Sequence, residues 1–426
     1  MIETAATSDW MNDIARAVAQ AQRSLRAAVP DAAERFARLD QALRDEVAAV
    51  RAEQAAGGAV PELTYADVAT GRISVAQKDR IRRRGCVVVR GVHDPALVSD
   101  WNEQIARYID DNHYFEHAQK KAGLDKYFSA LASGRPQIFG LYWSRPQMQA
   151  RQSESLATTR AFLNHLWISE RIVGTERVRY FDPDRQATYA DRIRRREPGD
   201  TTLGLSPHSD GGSVERWCEP TFRPMYREVF EGDPLKFDPF DGAGRTGTRE
   251  IPSPAVCSAF RTFQGWTALS RQGPGDGTLK LVPVAATTPW MLLRALQADV
   301  PKGDLCGAQP GRALGASPQW HATLLEGLVP IPVVEPGDTV WWHPDVIHAV
   351  EDRHAGTGYS NVIYIGAAPW CDKNEAYLNR QAPAFLAGRS APDFAPEDYE
   401  VDFTGRCTAD ELTPLGQRQM GLRPWA

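Results

Sequence analysis

The sequence predicts a mainly β core preceded by a helical region, and three observations carry that prediction. From about residue 180 to residue 369, short β-type runs recur between Gly and Pro turn signals, the texture of a barrel or sandwich rather than of alternating strands and helices. Ahead of that block, apolar residues repeat at helical spacing. The chain has 426 residues and no internal repeat, enough for one large domain or two modest ones with a sizeable buried core.

The elements follow in order. Trp10, Ile14, Val18, Ala21 and Leu25 recur at helical spacing between Ser8 and Val29. Pro30-Asp31 interrupts the pattern, and Phe36, Leu39, Leu43, Val47 and Val50 resume it. Two amphipathic helices therefore open the protein, with their apolar faces expected against the core of the same chain. "EQAAGGAVPE" is a connector, and "RGCVVVRGV" (Arg84 to Val92) reads as a short buried strand. "DPALVSDWNEQIARYI" and "ATTRAFLNHLW" read as helices. The β block then runs through "TYADRIRRRE", "TTLGLSPHSD", "CSAFRTFQGWTALS", "GTLKLVPV", "DTVWWHPDVIHAV" and "YSNVIYIGAAP". Between Gly211 and Pro254 lies a Pro/Gly/charge-rich stretch too long for a hairpin loop, expected as a mobile lid or a side insertion. The expected organisation is a helical region over 1–179, a β core over 180–369 with the insertion 211–254, and an irregular wrap over 370–426, all in one compact domain.

Composition narrows the partners. With 42% hydrophobic and 24% charged residues and a net charge of −5, the chain offers no basic field for nucleic acid or anionic lipid, so a small-molecule partner is expected. The opening "MIETAATSDWMNDIARAV" is not a charged leader followed by an apolar core, and no run approaches a membrane span, so the expected location is the cytoplasm. Cys86, Cys218, Cys257, Cys306, Cys371 and Cys407 lack CxxC spacing and read as free thiols. Oligomeric state is left open between monomer and homo-oligomer.

Chemistry concentrates in "GLSPHSDGGSVERW" (Gly204 to Trp217). If Leu203 to Asp210 is extended, side chains alternate between faces, and His208 and Asp210 point the same way. A second histidine, His348, lies 140 positions on in "GDTVWWHPDVIHAV". Two imidazoles and one carboxylate on one face form the ligand set of non-haem Fe(II) oxygenases, in which the remaining coordination positions stay open for substrate and oxygen chemistry.

The order of HxD, "GWTALS" (Gly265 to Ser270), "GDGTLKLVPV" (Gly275 to Val284) and "GDTVWWHPDVIHAV" resembles the phytanoyl-CoA-hydroxylase-like branch of the Fe(II)/2-oxoglutarate-dependent dioxygenases. "YADRIRRREPGD", "PHSDGGSVERW", "FRTFQGW" and "APDF" are similar, over nearly the whole chain, to a family of bacterial and fungal proteins of undefined function placed in that superfamily. The resemblance implies a double-stranded β-helix of the jelly-roll or cupin type. It also implies Fe(II) held by His208, Asp210 and His348, 2-oxoglutarate as cosubstrate, dioxygen as co-reactant, and Trp266 in the cosubstrate pocket. His343 is the rival third ligand: it precedes Pro344 in the expected turn, whereas His348 begins the apolar run where the superfamily places its ligand.

One departure stands out. Eleven or twelve positions after the distal histidine, where the superfamily carries a basic residue for the far carboxylate of 2-oxoglutarate, this chain has Tyr359 and Ser360. A buried dianion needs a charge-assisted partner. Arg192 or Arg194, helped by Ser360, is the expected anchor, and strand parity does not choose between them. Lys280 and Arg353 are the alternatives. Gln264 is expected to face inward with Trp266, and Arg261 to face away. The expected activity is oxidation of a small polar molecule by hydroxylation, desaturation or cyclisation. The alternatives are a cupin-type metalloenzyme that uses no oxoacid, or a non-catalytic binding barrel.

Overall fold

The computed structural model describes residues 9–120, 136–201, 206–254 and 256–425. Its strands are β1 (Glu62–Thr64), β2 (Cys86–Arg90), β3 (Ile138–Phe139), β4 (Glu170–Val173), β5 (Glu176–Arg179), β6 (Asp182–Ala187), β7 (Ile193–Arg196), β8 (His208–Ser209), β9 (Phe263–Ala268), β10 (Leu279–Leu281), β11 (Leu314–Gly315), β12 (Val329–Pro330), β13 (Thr339–Trp342), β14 (His348–Val350) and β15 (Ser360–Trp370). The larger sheet has the order β1-β2-β13-β9-β15-β7-β3, with β6 also pairing β15. The smaller has the order β11-β8-β14-β10-β12, and β4 and β5 form a separate hairpin.

The expectation of a mainly β protein is corrected to a mixed one, with 40% helix and 18% strand among the described residues. The reason is geometric. Most strands of the two main sheets are only two to six residues long, so the helices that cover their outer faces hold more of the chain. Helices Pro95–Asp111 and Glu154–Asn164 supply Trp101, Ile105, Leu156 and Leu163 to the cluster that also holds Trp341, Ile363 and Ile365 of the larger sheet. Between the sheets lie Val88, Trp266, Leu281, Val340, Trp342 and Val362.

The predicted strand at 84–92 is β2, whose Cys86 to Val89 are fully buried, so the chain ahead of the β block joins the larger sheet beside β13. The helix before it, Val75–Arg84, starts at a Ser74/Gln77 capping box and stops at Gly85, which has φ +66°. Only glycine suits that position, because an added Cβ would also lie 2.6 Å from Val346 Cγ2.

The two opening helices are Ile14–Ala28 and Ala32–Ala55, and they bury Val18, Leu25, Leu39, Leu43, Val47 and Val50. Ser8, at the edge of the first predicted helix, lies outside the described residues. Their apolar stripe meets Trp217, Phe222, Tyr226 and Phe230 of the 211–254 insertion, together with Leu314 and Val329 of the smaller sheet. Several large aromatic side chains anchored this way make the insertion a packed plate. That corrects the expectation of a mobile lid, whose defining feature is few buried apolar contacts. The segment 370–426 likewise contains more order than an irregular wrap, including helix Asp372–Ala387. None of the described helices is long and apolar enough to cross a membrane.

Candidate metal centre

β8 is two residues long, and Leu203 to Leu205, on its N-terminal side, lie outside the described residues. Pairing with β14 places His208 directly opposite His348, so two imidazoles 140 residues apart become cross-strand neighbours with ring centres 4.3 Å apart. Asp210 follows the strand. Gly211 and Gly212, at φ +92° and +90°, then turn the chain sharply away while its carboxylate stays with the rings.

Asp210 Oδ1 lies 3.8 Å from His208 Nε2, and its Oδ2 lies 3.8 Å from His348 Nε2. One nitrogen or oxygen from each of the three residues falls within 4.8 Å of the others, and no second such group occurs among the described residues. The remaining ring nitrogens are occupied. His208 Nδ1 is 2.7 Å from Ser206 O, and His348 Nδ1 is 3.1 Å from Val346 O. A carbonyl can only accept, so each Nδ1 carries the proton and each Nε2 turns a lone pair to the shared point. This donor set fits a divalent transition metal, and these three side chains would hold it.

Neighbours tune the group. Burial pushes the Asp210 carboxyl up, but attraction to His348, His208 and Arg261, with a hydrogen bond from Gln264 Nε2, outweighs it and holds the carboxyl below its ordinary value. Burial and the nearby His208 lower His348 to about 4, leaving it neutral and able to ligate at neutral pH. Trp342 packs its ring centre 5.2 Å from that of His348. From the insertion, Arg216 Nη2 donates to Asp210 O at 2.8 Å while its Nη1 donates to Tyr226 at 2.7 Å, so the packed plate fixes the backbone of a candidate ligand.

The three residues open into a cavity of about 510 Å³ whose walls include Arg192, Arg194, Gln264 and Trp266. Ser360 is not on that wall. It stands opposite Arg196 in the β15–β7 register, donates to Asp276 O at 2.6 Å, and faces His354. The expectation that Ser360 helps an anchor is therefore corrected: the cavity ends before its level of the strand. The side chain found there instead is Tyr364, which flanks the Arg194 guanidinium. Sequence reasoning passed over Tyr364 because it counted positions from the histidine rather than along an eleven-residue strand.

The arginines differ in what they have free. Arg196 donates to Gly277 O, Glu351 O and Asp200 O and does not line the cavity. Arg192 stacks on Phe394 and leans on Asp191 at 3.4 Å. Arg194 is buried, bonds Gly277 O at 2.7 Å, and has an Nε without a partner. Of the alternatives, Lys280 is absent from the cavity wall that its neighbour Leu279 lines, and Arg353 sits at an isolated bridge with Thr201 away from it. Arg261, expected to face away, lines the cavity. The chain bends at Thr262 just ahead of β9, so alternation counted back from Trp266 loses its phase there.

A family model described as Gig2-like matches residues 12–422. The chain is 42% identical over 420 residues to the uncharacterized protein YbiU of Escherichia coli (strain K12), covering 98% of each. A crystal structure from Salmonella typhimurium LT2, named as a candidate oxidoreductase, superposes with a TM-score of 0.89 at 42% identity, over 96% of this chain and 97% of that one. GlcNAc Inducible Gene 2 (GIG2) of Candida albicans superposes with a TM-score of 0.77 at 25% identity, over 100% of this chain and 92% of that one. By the extent of these matches, the chain belongs to the Gig2-like family.

Proposed function

We propose that this protein is a cytoplasmic non-haem Fe(II)/2-oxoglutarate-dependent oxygenase that oxidises a small polar molecule, by hydroxylation or by desaturation or cyclisation. The observation that carries the reading is the convergence of His208 Nε2, His348 Nε2 and the Asp210 carboxylate, with both Nδ1 groups bound to backbone carbonyls. Strand winding supports it. Along the chain β7 lies in the larger sheet, β8 in the smaller, β9 in the larger, β10 and β12 in the smaller, β13 in the larger, β14 in the smaller and β15 in the larger. We read that alternation as a double-stranded β-helix.

When bound, iron and the oxoacid supply oxidation of a substrate C–H bond by dioxygen, coupled to decarboxylation of the oxoacid to succinate. The protein's part is positioning. The three side chains that would hold the metal all line the cavity, where substrate and oxygen would reach it. Gln264 holds one Asp210 oxygen, so the carboxylate cannot swing freely. Arg194, on the cavity wall with Tyr364 beside it, offers the cation that the far carboxylate of 2-oxoglutarate requires. Arg192 borders the same space, and Trp266 contributes an apolar wall.

The test is anaerobic reconstitution with Fe(II), followed by 2-oxoglutarate, oxygen and an assay for succinate and oxygen uptake. One iron per chain and iron-dependent succinate are expected. A hydrogen bond to a charged group contributes roughly 1.5–3 kcal/mol, so Arg194→Met raises the apparent cosubstrate constant about tenfold to a few hundredfold with iron binding unchanged. Stoichiometric iron without succinate overturns the oxygenase reading in favour of a cupin-type metalloenzyme that uses no oxoacid. Unchanged cosubstrate affinity in Arg194→Met rejects this anchor.

A further inference from the structure

We propose that Arg261 is the binding group for a carboxylate on the substrate, and that the substrate is a small monocarboxylic acid; this rests on the oxygenase reading above. Arg261 makes no hydrogen bond or ion pair among the described residues, although it borders both the main cavity and the smaller pocket behind Asp210. Its guanidinium lies 4.8 Å over the Tyr189 ring, which holds the plane and leaves the edge donors free. Gly366 makes room for its stem, since a Cβ there would sit 3.1 Å from Arg261 Cδ. A guanidinium held over an aromatic ring with no hydrogen-bond partner on a cavity wall is suited to receive an anion.

That site is distinct from the one at Arg194. On β15, Arg194 stands opposite Val362, whereas the Arg261 stem lies over Gly366, four residues further along. At about 3.3 Å per residue the two attachment points lie roughly 13 Å apart along the strand. Of the arginines on this wall, Arg194 is assigned to the cosubstrate and Arg261 to a second anion. The second is assigned as a single carboxylate, because one planar guanidinium matches one carboxylate. Tyr189, Val256 and Phe394 on the same walls suit the apolar body of such an acid.

The experiment uses anaerobic full-length protein with Fe(II) and 2-oxoglutarate, and a library of small acids of three to ten carbons, each paired with its primary amide and, where one exists, its phosphate ester. Thermal shift followed by calorimetric titration reads binding. The expected result is that acids bind, their amides and phosphate esters bind at least tenfold more weakly, Arg261→Met abolishes the preference, and Arg261→Lys keeps part of it. Cosubstrate affinity in Arg261→Met and acid preference in Arg194→Met stay as in the parent. The proposal is overturned if no acid binds, if amides or phosphate esters bind as well as acids, or if the preference survives Arg261→Met. It is also overturned if that variant loses 2-oxoglutarate affinity tenfold, which assigns Arg261 to the cosubstrate. Failure of the oxygenase reading shows separately, as loss of 2-oxoglutarate binding in the parent protein.

Discussion

His343 and His348 lie five residues apart on either side of one turn, and their surroundings could hardly differ more. His343 has no exposed surface, and its ring stacks on Trp167 with centres 4.7 Å apart and planes within 8°. Its Nε2 donates to Pro239 O at 2.9 Å, and its Nδ1 accepts the Asp345 N–H at 3.0 Å. Both nitrogens are spent. His348 commits only Nδ1 and turns Nε2 toward Asp210. A histidine becomes a candidate ligand by what its second nitrogen is spared, and burial alone makes it a brace. The brace still serves the site. Asp345 beside it pairs with Arg245 at 2.7 Å and Arg216 at 3.5 Å, and Arg216 holds the Asp210 carbonyl.

The largest effect that tests this contrast comes from removing each ring in turn. His348→Ala is expected to weaken metal binding by at least about a hundredfold, with the melting transition of the metal-free protein little changed. His343→Ala is expected to keep one metal per chain and to lose about 2–4 kcal/mol of stability, through the cavity and the two lost hydrogen bonds. Metal analysis beside denaturant unfolding reads both, and the reverse pattern would make His343 the ligand.

A smaller effect sharpens the role of the groups behind the ligands. Gln264→Leu frees one Asp210 oxygen, and metal affinity is expected to drop roughly tenfold with the cavity wall otherwise kept. An unchanged dissociation constant would mean that the Gln264 bond does not orient the carboxylate.

The smallest is a pH effect on the brace. Burial, against an opposing pull from Asp345, lowers His343 from its ordinary 6.5 to about 3. A depressed folded-state pKa gives stability that is complete above 6.5 and is lost as pH falls toward 3, because the unfolded chain takes up the proton first. Between pH 7 and 5.5 this single ring accounts for about 1 kcal/mol. In metal-free protein, His343→Gln retains a donor and an acceptor without titrating, so its unfolding midpoint should fall less over that interval; parallel curves for parent and variant would refute the assignment.

Spacing in the chain made the opening helices and the buried run at 86–90 legible, because amphipathic periodicity and a β-branched run bounded by glycine are local signals. The same holds for His208 and Asp210, two residues apart and so able to share a face. Alternation fails as a guide wherever the chain leaves regular structure. At the Thr262 bend it pointed Arg261 the wrong way, and along β15 it could not tell that the cavity stops short of Ser360. The 211–254 stretch misled for a related reason: Pro, Gly and charge mark a loop, but its Trp217, Phe222 and Tyr226 are buried by helices from the far N-terminus.

By itself the sequence determined the residue types at the site, the pair His208 and Asp210, and the two helices that close one side of the molecule. Only the tertiary structure decided that His348 and not His343 stands opposite His208, that Arg194 lines the cavity while Arg196 does not, and that Arg261 lines it too. The first set follows from backbone geometry over a few residues. The second follows from strand register and competition for hydrogen-bond partners between segments more than a hundred residues apart, which no local period encodes.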